Sequence, residues 1–184
     1  MTSVTATFSS RQPVSIIGSS EADPNTTAYV TARQIAVRLA HAGIPVLCGG
    51  RGGVMDAACL GARNAGGLAI GILPGSDISE GNAHAPILIP SGLGNARAPV
   101  LNEPFALSRN WLIAQGGSCL IAVAGGVGTE DEIQLGLKFG KRIFATCGAP
   151  IPQAASEITV YHDTRWADLV DEVIALCGGR PVAD

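Results

Sequence analysis

The stretch from Gly125 to Glu132 combines the residue types of this sequence that are best suited to chemistry. It reads Gly-Gly-Val-Gly-Thr-Glu-Asp-Glu and follows five apolar residues, Cys119–Val123, that predict a buried strand. A helical pattern begins at Thr129. A strand that runs through glycines into a helix exposes backbone N–H groups at the positive end of the helix dipole, where phosphate binds, although a plain tight turn has the same pattern. The predicted ligand contacts are Gly125, Gly126, Val127, Gly128 and Thr129.

A second glycine-rich turn lies earlier in the chain and contains an arginine. Residues 44–48 predict a strand, Gly49–Gly53 follow it, and a helix is predicted from Val54 to Ala65. Arg51 could pair with a phosphate through two parallel N–H groups, or it could be a solvated loop residue. The predicted ligand contacts in this turn are Gly49, Gly50, Arg51 and Gly52.

The first predicted strand, Val14–Gly18, ends in small residues. Gly18, Ser19 and Ser20 suit the border of a ligand crevice, and they equally suit a simple turn. We include these three residues among the predicted ligand contacts. Ligands of α/β proteins bind beyond the carboxyl ends of the strands, where the strand order reverses. The three small-residue strand ends are therefore expected to meet there.

Strands alternate with helices along the rest of the chain. Thr26 or Thr27 is predicted to cap the first helix and Gly43 to end it, and Asp163 or Thr164 is predicted to cap the last helix. The remaining predicted elements are strands at 68–73, 86–90, 141–147 and 158–161 and a helix from Phe105 to about Gln115. The alternation predicts right-handed βαβ units, hence an α/β, Rossmann-like, doubly wound fold with a mostly parallel sheet flanked by helices. We expect a single domain over residues 13–184 behind a flexible N-terminal arm of residues 1–12.

Composition and motif content exclude several classes of protein. Apolar residues make up 47% of the 184 residues, which is enough for the core of one domain. A net charge of −3 without a basic run, together with 4% aromatic residues, argues against nucleic-acid binding. Five scattered cysteines without a Cys-x-x-Cys pair fit buried free thiols, so we predict a cytoplasmic protein. We recognise no signal peptide, membrane-spanning stretch, metal-ligand spacing, P-loop or dinucleotide fingerprint.

Three motifs occur in the order found in the LOG (Lonely Guy) family. Gly125–Glu132 resembles the family signature Pro-Gly-Gly-x-Gly-Thr-x-x-Glu, and Gly49–Met55 resembles its other glycine motif. Arg109 lies at the family's usual spacing before the signature. The resemblance covers residues 14–147. It implies a Rossmann-like fold and the cleavage of nucleoside monophosphates to free base and ribose phosphate.

Two segments are more similar to a sister group, the molybdenum-cofactor carrier proteins, which share the fold and bind a phosphorylated pterin. They are Gly71–Gly75 and Ser91–Arg97. Residues 98–106 resemble an insertion relative to both groups. Arg97 therefore competes with Arg109 for the position of the family arginine, and the spacing to the glycine loop favours Arg109.

The chain also departs from the LOG enzymes at three positions. Ala124 replaces the proline of the signature, Asn110 replaces the lysine of the enzymes' Arg-Lys pair, and Ser118 replaces a usual aspartate. The resemblance therefore supports the fold more strongly than it supports the enzymatic activity.

Glu132 has two interpretations. In the enzymatic one, Arg109 and Glu132 are catalytic, because a carboxylate beside C1′ stabilises the positive charge that develops on the ribose, while Arg109 fixes that carboxylate or the phosphate. In the structural one, Thr129-x-x-Glu132 is a capping box that returns a hydrogen bond to the Thr129 N–H. The carriers and the enzymes both keep this glutamate, so it does not distinguish them.

Two functions therefore remain open. One is the binding of a small phosphorylated, nucleotide-like ligand by a carrier whose cargo is molybdopterin or the molybdenum cofactor, which Asn110 and the carrier-like segments favour. The alternative is a LOG-type nucleoside 5′-monophosphate phosphoribohydrolase.

We also expect a homodimer or homotetramer, because Phe105, Trp111 and Leu112 give their helix more apolar bulk than one sheet face covers, unless they are plain core.

Overall fold

Residues 11–94, 107–152 and 157–178 are described by a computed structural model, and they form a seven-stranded sheet with helices on both faces. The strands are β1 (Val14–Gly18), β2 (Val46–Cys48), β3 (Ala69–Leu73), β4 (Ile87–Pro90), β5 (Leu120–Val123), β6 (Ile143–Thr146) and β7 (Ile158–Val160). The helices are α1 (Thr27–His41), α2 (Val54–Asn64), α3 (Arg109–Gly116), α4 (Val127–Lys138) and α5 (Trp166–Leu176).

The strand order is β4-β3-β2-β1-β5-β6-β7, and all six pairings are parallel. Strand β1 pairs with β2 on one side and with β5 on the other, so the order reverses beside it. The predicted α/β, Rossmann-like, doubly wound fold is therefore confirmed. The chain forms one domain, and every strand in its sheet is parallel.

Neighbouring residues of the central strands enter two apolar layers, one on each face of the sheet. Ile16 belongs to the layer that contains buried residues of α1, α2 and α5, whereas Ile17 belongs to the layer that contains buried residues of α3 and α4. Both side chains are almost fully buried, as expected for a parallel sheet covered on both faces. Both faces of the sheet are therefore covered by helices, and the loops at its carboxyl-terminal edge follow directly from buried strands.

The ends of the first helix agree with the sequence prediction. The hydroxyl of Thr26 accepts a hydrogen bond from the N–H of Tyr29, which makes Thr26 the N-cap of α1. Gly43, at φ +70°, follows the C-cap Ala42 and ends the helix in a left-handed conformation.

Two other predicted helix starts are wrong. Helix α3 begins at Arg109, four residues later than Phe105, because Ser108 adopts an extended conformation and caps it; Phe105 itself lies outside the described residues. Asp163 and Thr164 do not cap α5, because they lie in a short 3₁₀ turn before it. A polar residue just before an apolar pattern, such as Asp163, can start a 3₁₀ helix or an α-helix, and the sequence pattern does not distinguish the two.

Parts of the predicted organisation fall outside the described residues. They include residues 1–10 of the proposed N-terminal arm, Arg97 and the 98–106 segment. The last two residues of the arm are described: an Nη1 group of Arg11 donates to the Ala42 carbonyl at 2.9 Å, and Gln12 Nε2 donates to the Gly116 carbonyl at 3.2 Å. These two residues are therefore attached to the domain.

The five cysteines are free thiols. Cys48, Cys59 and Cys119 are buried, while Cys147 and Cys177 are half-buried. Within the described ranges, no three or more His, Cys, Asp or Glu side chains are grouped so that they could hold a metal ion. No helix in the same ranges is long and apolar enough to cross a bilayer.

Helices α1 and α2 pack closely because α2 carries small residues where they meet. A Cβ added to Gly61 would collide with the backbone carbonyl of Arg33 on α1. A Cβ added to Gly136 of α4 would instead lie 2.9 Å from a terminal methyl of Leu120 and 3.2 Å from one of Ile143. Side-chain ends can move aside more easily than a packed helix backbone.

We therefore expect Gly61→Ala to destabilise the protein by about 1–3 kcal/mol, since overpacking outweighs the roughly 1 kcal/mol gain in helix propensity. Gly136→Ala is the matched control, because it brings the same propensity gain against movable side chains. Urea unfolding of both variants measures the difference. Equal effects of the two substitutions would show that α1 and α2 are not held at contact distance by Gly61.

Candidate functional site

The carboxyl ends of β1, β2 and β5 border a cavity of about 690 Å³. It lies where the strand order reverses, which is the position that open α/β sheets use for ligands. The predicted residues that line it are Gly18, Ser19, Ser20, Gly49, Arg51, Gly52, Arg109, Gly125, Gly126, Val127, Gly128, Thr129 and Glu132. Residues that the sequence analysis did not select for the site complete the lining: Ile16, Ile17, Glu21, Met55 and Asn110.

The amino terminus of α4 faces this cavity without a side-chain cap. The helix begins at Val127 with Gly126 as its N-cap, so the predicted start at Thr129 is wrong by two residues. A Cβ on Gly126 or Gly128 would meet no atom of the described residues within 4 Å. Gly125 is different: it has φ +117°, and a Cβ there would collide with Thr129. The first turn therefore offers backbone N–H groups that a ligand can approach closely.

The amino terminus of α2 is built in a similar way. Its N-cap, Gly53, has φ +66° and provides no side-chain hydrogen bond. The N–H of Val54 donates to the Ser19 carbonyl at 2.8 Å, so the loop after β1 is attached to the start of α2. Arg51 is exposed at the cavity. Two glycine-capped helices thus point their positive ends at one cavity, as the sequence predicted for their loops.

Gly50 is the one predicted contact that does not line the cavity. It lies behind the loop at φ +65°, where a Cβ would be 2.9 Å from the Cα of Gly71 on β3. Its carbonyl accepts a hydrogen bond from the N–H of Asn82 at 2.8 Å. Gly50 therefore packs the loop against the sheet, and its neighbours Gly49, Arg51 and Gly52 line the cavity.

Asn82 holds the Gly49–Gly53 loop in place, and the sequence analysis did not find it. Its Nδ2 donates to the Arg51 carbonyl at 3.0 Å, while its Oδ1 accepts from the N–H groups of His84 and Ala85, also at 3.0 Å. The loop between β3 and β4 is thereby joined to the loop after β2. An asparagine in a polar stretch predicts a turn, but nothing in that pattern names a partner 31 residues away.

Arg109 is buried at the floor of the cavity and is 9% exposed. Its Nη1 group donates to the Gly49 carbonyl at 3.0 Å. Burial lowers the pKa of Arg109, and the charge of Glu132 acts in the opposite direction. An arginine remains charged even so, which places a buried positive charge beside the glycine loops.

Glu132 is also buried in the wall of the cavity. The capping-box interpretation of this residue is wrong. Because α4 begins at Val127, Thr129 is the third helical residue and Glu132 the sixth, too far along to reach back to the first turn as a cap. Burial raises the pKa of Glu132 to about 8; the positive charge of Arg109 opposes the shift and Asp131 adds to it. At neutral pH the carboxyl group is therefore mostly protonated.

The observed position of Arg109 fits the spacing argument, since it shares the cavity with Glu132, whereas Arg97 lies outside the described residues. Asn110 follows it and lines the same cavity. The Nδ2 group of Asn110 donates to Asp131 Oδ2 at 3.0 Å, so α3 and α4 are joined beside the site. Sequence comparison with the LOG motif marked Asn110 only as a departure.

The sequence matches the model of the SLOG cluster4 family over residues 11–174. The chain belongs to this family. An uncharacterized protein of Archaeoglobus fulgidus is 37% identical over 131 residues, which are 71% of this SLOG chain and 76% of the relative. The LOG-like resemblance found in the motifs is thus confirmed.

Solved structures of the same fold include two proteins whose names state a ligand. The molybdenum cofactor carrier protein of Chlamydomonas reinhardtii is 30% identical, with a TM-score of 0.71 over 91% of the SLOG chain and 99% of the other. The molybdenum cofactor binding protein of Rippkaea orientalis is 29% identical, with a TM-score of 0.62 over 92% and 88%. The structural neighbours therefore include molybdenum cofactor carriers.

The buried carboxyl group of Glu132 should make stability depend on pH. Its pKa is higher in the folded protein than in the unfolded chain, so the free energy of unfolding is highest below the unfolded value. It falls as the pH rises toward about 8 and then levels off. Glu132→Gln should remove a fall of a few kcal/mol between these limits.

Urea unfolding of the wild type and the variant at several pH values measures this effect. Glu157→Gln is the control, because Glu157 is exposed at the surface. Parallel pH profiles for wild type and Glu132→Gln would contradict a buried, protonated Glu132.

Proposed function

We propose that this SLOG protein binds a phosphorylated, nucleotide-like ligand in the cavity and acts as a carrier, with molybdopterin or the molybdenum cofactor as its cargo. The observation that carries the proposal is the convergence of the open amino terminus of α4, the glycine turn before α2 and the buried Arg109 on one cavity. Backbone N–H groups at the positive ends of helices bind phosphate, and a guanidinium group adds a charge-assisted hydrogen bond.

The charge balance of the cavity supports an anionic ligand. Arg109 contributes a buried positive charge and Arg51 an exposed one, against the exposed carboxylate of Glu21. Glu132, with its pKa raised to about 8, is mostly neutral at pH 7. A neutral carboxyl group does not repel phosphate. A volume of about 690 Å³ lies in the range of small-molecule sites, so a nucleotide-sized or pterin-sized ligand fits.

The proposal also includes the molybdenum cofactor as the cargo and the cytoplasm as the compartment. The Chlamydomonas and Rippkaea proteins are named for the molybdenum cofactor, and this supports the molybdenum cofactor as the cargo here. Both proteins share the fold, and their identities to this chain are nearly equal. Five free thiols suit a reducing compartment, which supports the cytoplasm.

A second function is favoured by the pairing of Arg109 with Glu132 in the same cavity. In a LOG-type phosphoribohydrolase an ionised glutamate stabilises the charge that develops on the ribose as the base departs. The raised pKa of Glu132 weakens this assignment at neutral pH, because the protonated group carries no charge. The hydrolase is therefore the alternative and the carrier is the proposal.

Incubation with AMP and the other nucleoside monophosphates separates the two functions. We expect no release of free base, and we expect calorimetry to detect binding of molybdopterin. Turnover that disappears in Glu132→Ala would replace the carrier with the hydrolase.

The same titration locates the anion site. Gly128→Val places a branched side chain in the open space at the start of α4, so affinity for phosphate ligands should fall about tenfold or more while the unfolding midpoint changes little. If Gly128→Val binds phosphate as tightly as the parent, the anion site lies at Gly49–Gly53 instead.

We further propose a homodimer or homotetramer. Trp111 packs edge-on against Phe139 of its own chain, with ring centroids 5.4 Å apart, so this ring is at least partly core. Apolar side chains elsewhere are more exposed, including Ile87 and Ile89 on the edge strand β4, at 42% and 45%. An edge strand with exposed isoleucines suits burial against a second copy.

Light scattering at micromolar concentration tests the assembly. We expect a mass of two or four chains of 18.7 kDa. A single species at the mass of one chain would contradict the proposal, whatever the ligand.

A further inference from the structure

Two polar atoms at the start of α3 are buried without a hydrogen-bond partner among the described residues. They are Arg109 Nε and Asn110 Oδ1. Arg109 is 9% exposed and Asn110 is 4% exposed, and both side chains line the cavity. Buried polar atoms are normally bonded, and an unsatisfied one lowers stability. Each of the two atoms therefore indicates a group that the ligand supplies.

The remaining hydrogen bonds of these side chains fix which atom is free. Nδ2 of Asn110 donates to a carboxylate oxygen of Asp131 at 3.0 Å. A carboxylate accepts hydrogen bonds and does not donate them, so the amide cannot turn its oxygen toward Asp131. Nη1 of Arg109 is likewise held by the Gly49 carbonyl at 3.0 Å. Arg109 Nε is thus an unpartnered donor and Asn110 Oδ1 an unpartnered acceptor, and both belong to side chains that line the cavity.

The ionised oxygens of a phosphate group can satisfy only the donor. They accept a hydrogen bond from Arg109 Nε, but they would repel Asn110 Oδ1, which needs a donor. A hydroxyl group of a sugar both donates and accepts. The lactam edge of a purine or pterin ring also does both, because its N–H lies beside its carbonyl oxygen.

Resting on the proposed function, we infer that Arg109 Nε and Asn110 Oδ1 together recognise a neutral donor–acceptor group of the ligand. This group is a sugar hydroxyl or a lactam edge attached to the phosphorylated compound. The amino terminus of α4 and the Gly49–Gly53 turn hold the phosphate, and Asn110 selects what the phosphate is attached to. The site therefore prefers such compounds over simple phosphate esters.

Calorimetric titration of the wild type and Asn110→Leu with matched ligand pairs tests the inference. AMP against its 2′,3′-dideoxy analogue examines the sugar hydroxyls, GMP against N1-methyl-GMP examines the lactam N–H, and inorganic phosphate has neither group. In the wild type, one of the two analogues should bind about tenfold more weakly than its parent, the loss expected for one unsatisfied buried hydrogen bond. In Asn110→Leu that difference should vanish, with phosphate affinity unchanged. Asn64→Leu is the control, because Asn64 is exposed and lies outside the cavity.

The outcomes separate this inference from the proposed function. If nucleotides and phosphate bind but neither analogue loses affinity in the wild type, the inference is wrong and the phosphate site stands. If Asn110→Leu weakens phosphate as much as the nucleotides, the inference is also wrong. If the wild type binds neither phosphate nor any nucleotide, both are wrong. The ligand pairs decide on the wild type alone if Asn110→Leu does not fold, and chromatography confirms that the nucleotides stay intact.

Discussion

The site depends on one constraint, which is that a buried arginine charge lies where the strand order of the sheet reverses. A buried charge is costly unless it is compensated. Glu132 could compensate Arg109, but it is buried as well, and burial raises its pKa. With its pKa raised to about 8, Glu132 is mostly protonated at neutral pH and leaves the charge of Arg109 largely uncompensated. The uncapped starts of α2 and α4 add partial positive charge to the same space. The proposed phosphorylated ligand would supply the compensating negative charge.

Much of the fold follows from local patterns that the sequence shows directly. Apolar strands alternating with small-sided helices require βαβ units, and the handedness of those units leaves few possible arrangements. Glycines at the strand ends marked the loops that meet at the cavity, because backbone that must approach a ligand tolerates little else. The central position of β1, between β2 and β5, then brings the ends of these three strands together.

The site was less predictable where a local pattern competed with a contact across the fold. Thr129 and Glu132 match a capping box, but the chain turns earlier because Ala124 and Gly125 adopt φ +52° and +117°. Proline fixes φ near −65°, so it cannot take the conformation that Ala124 has here. The replaced proline is thus linked to the geometry of the loop. Asn82 was missed for a related reason, since its function depends on a loop that is distant in sequence.

The substitution of Asn110 for the lysine of the related enzymes connects these observations. A lysine in the cavity wall would add a second cation near Glu132, favour its ionised form and lower its pKa. The neutral amide leaves burial as the main influence, and the pKa of Glu132 stays raised. An ionised glutamate suits a site that stabilises a developing cation, whereas a protonated one suits a site that holds a phosphate without repelling it. A neutral amide at position 110 therefore adds no charge beside Glu132, and this charge balance is the one that the proposed carrier function requires.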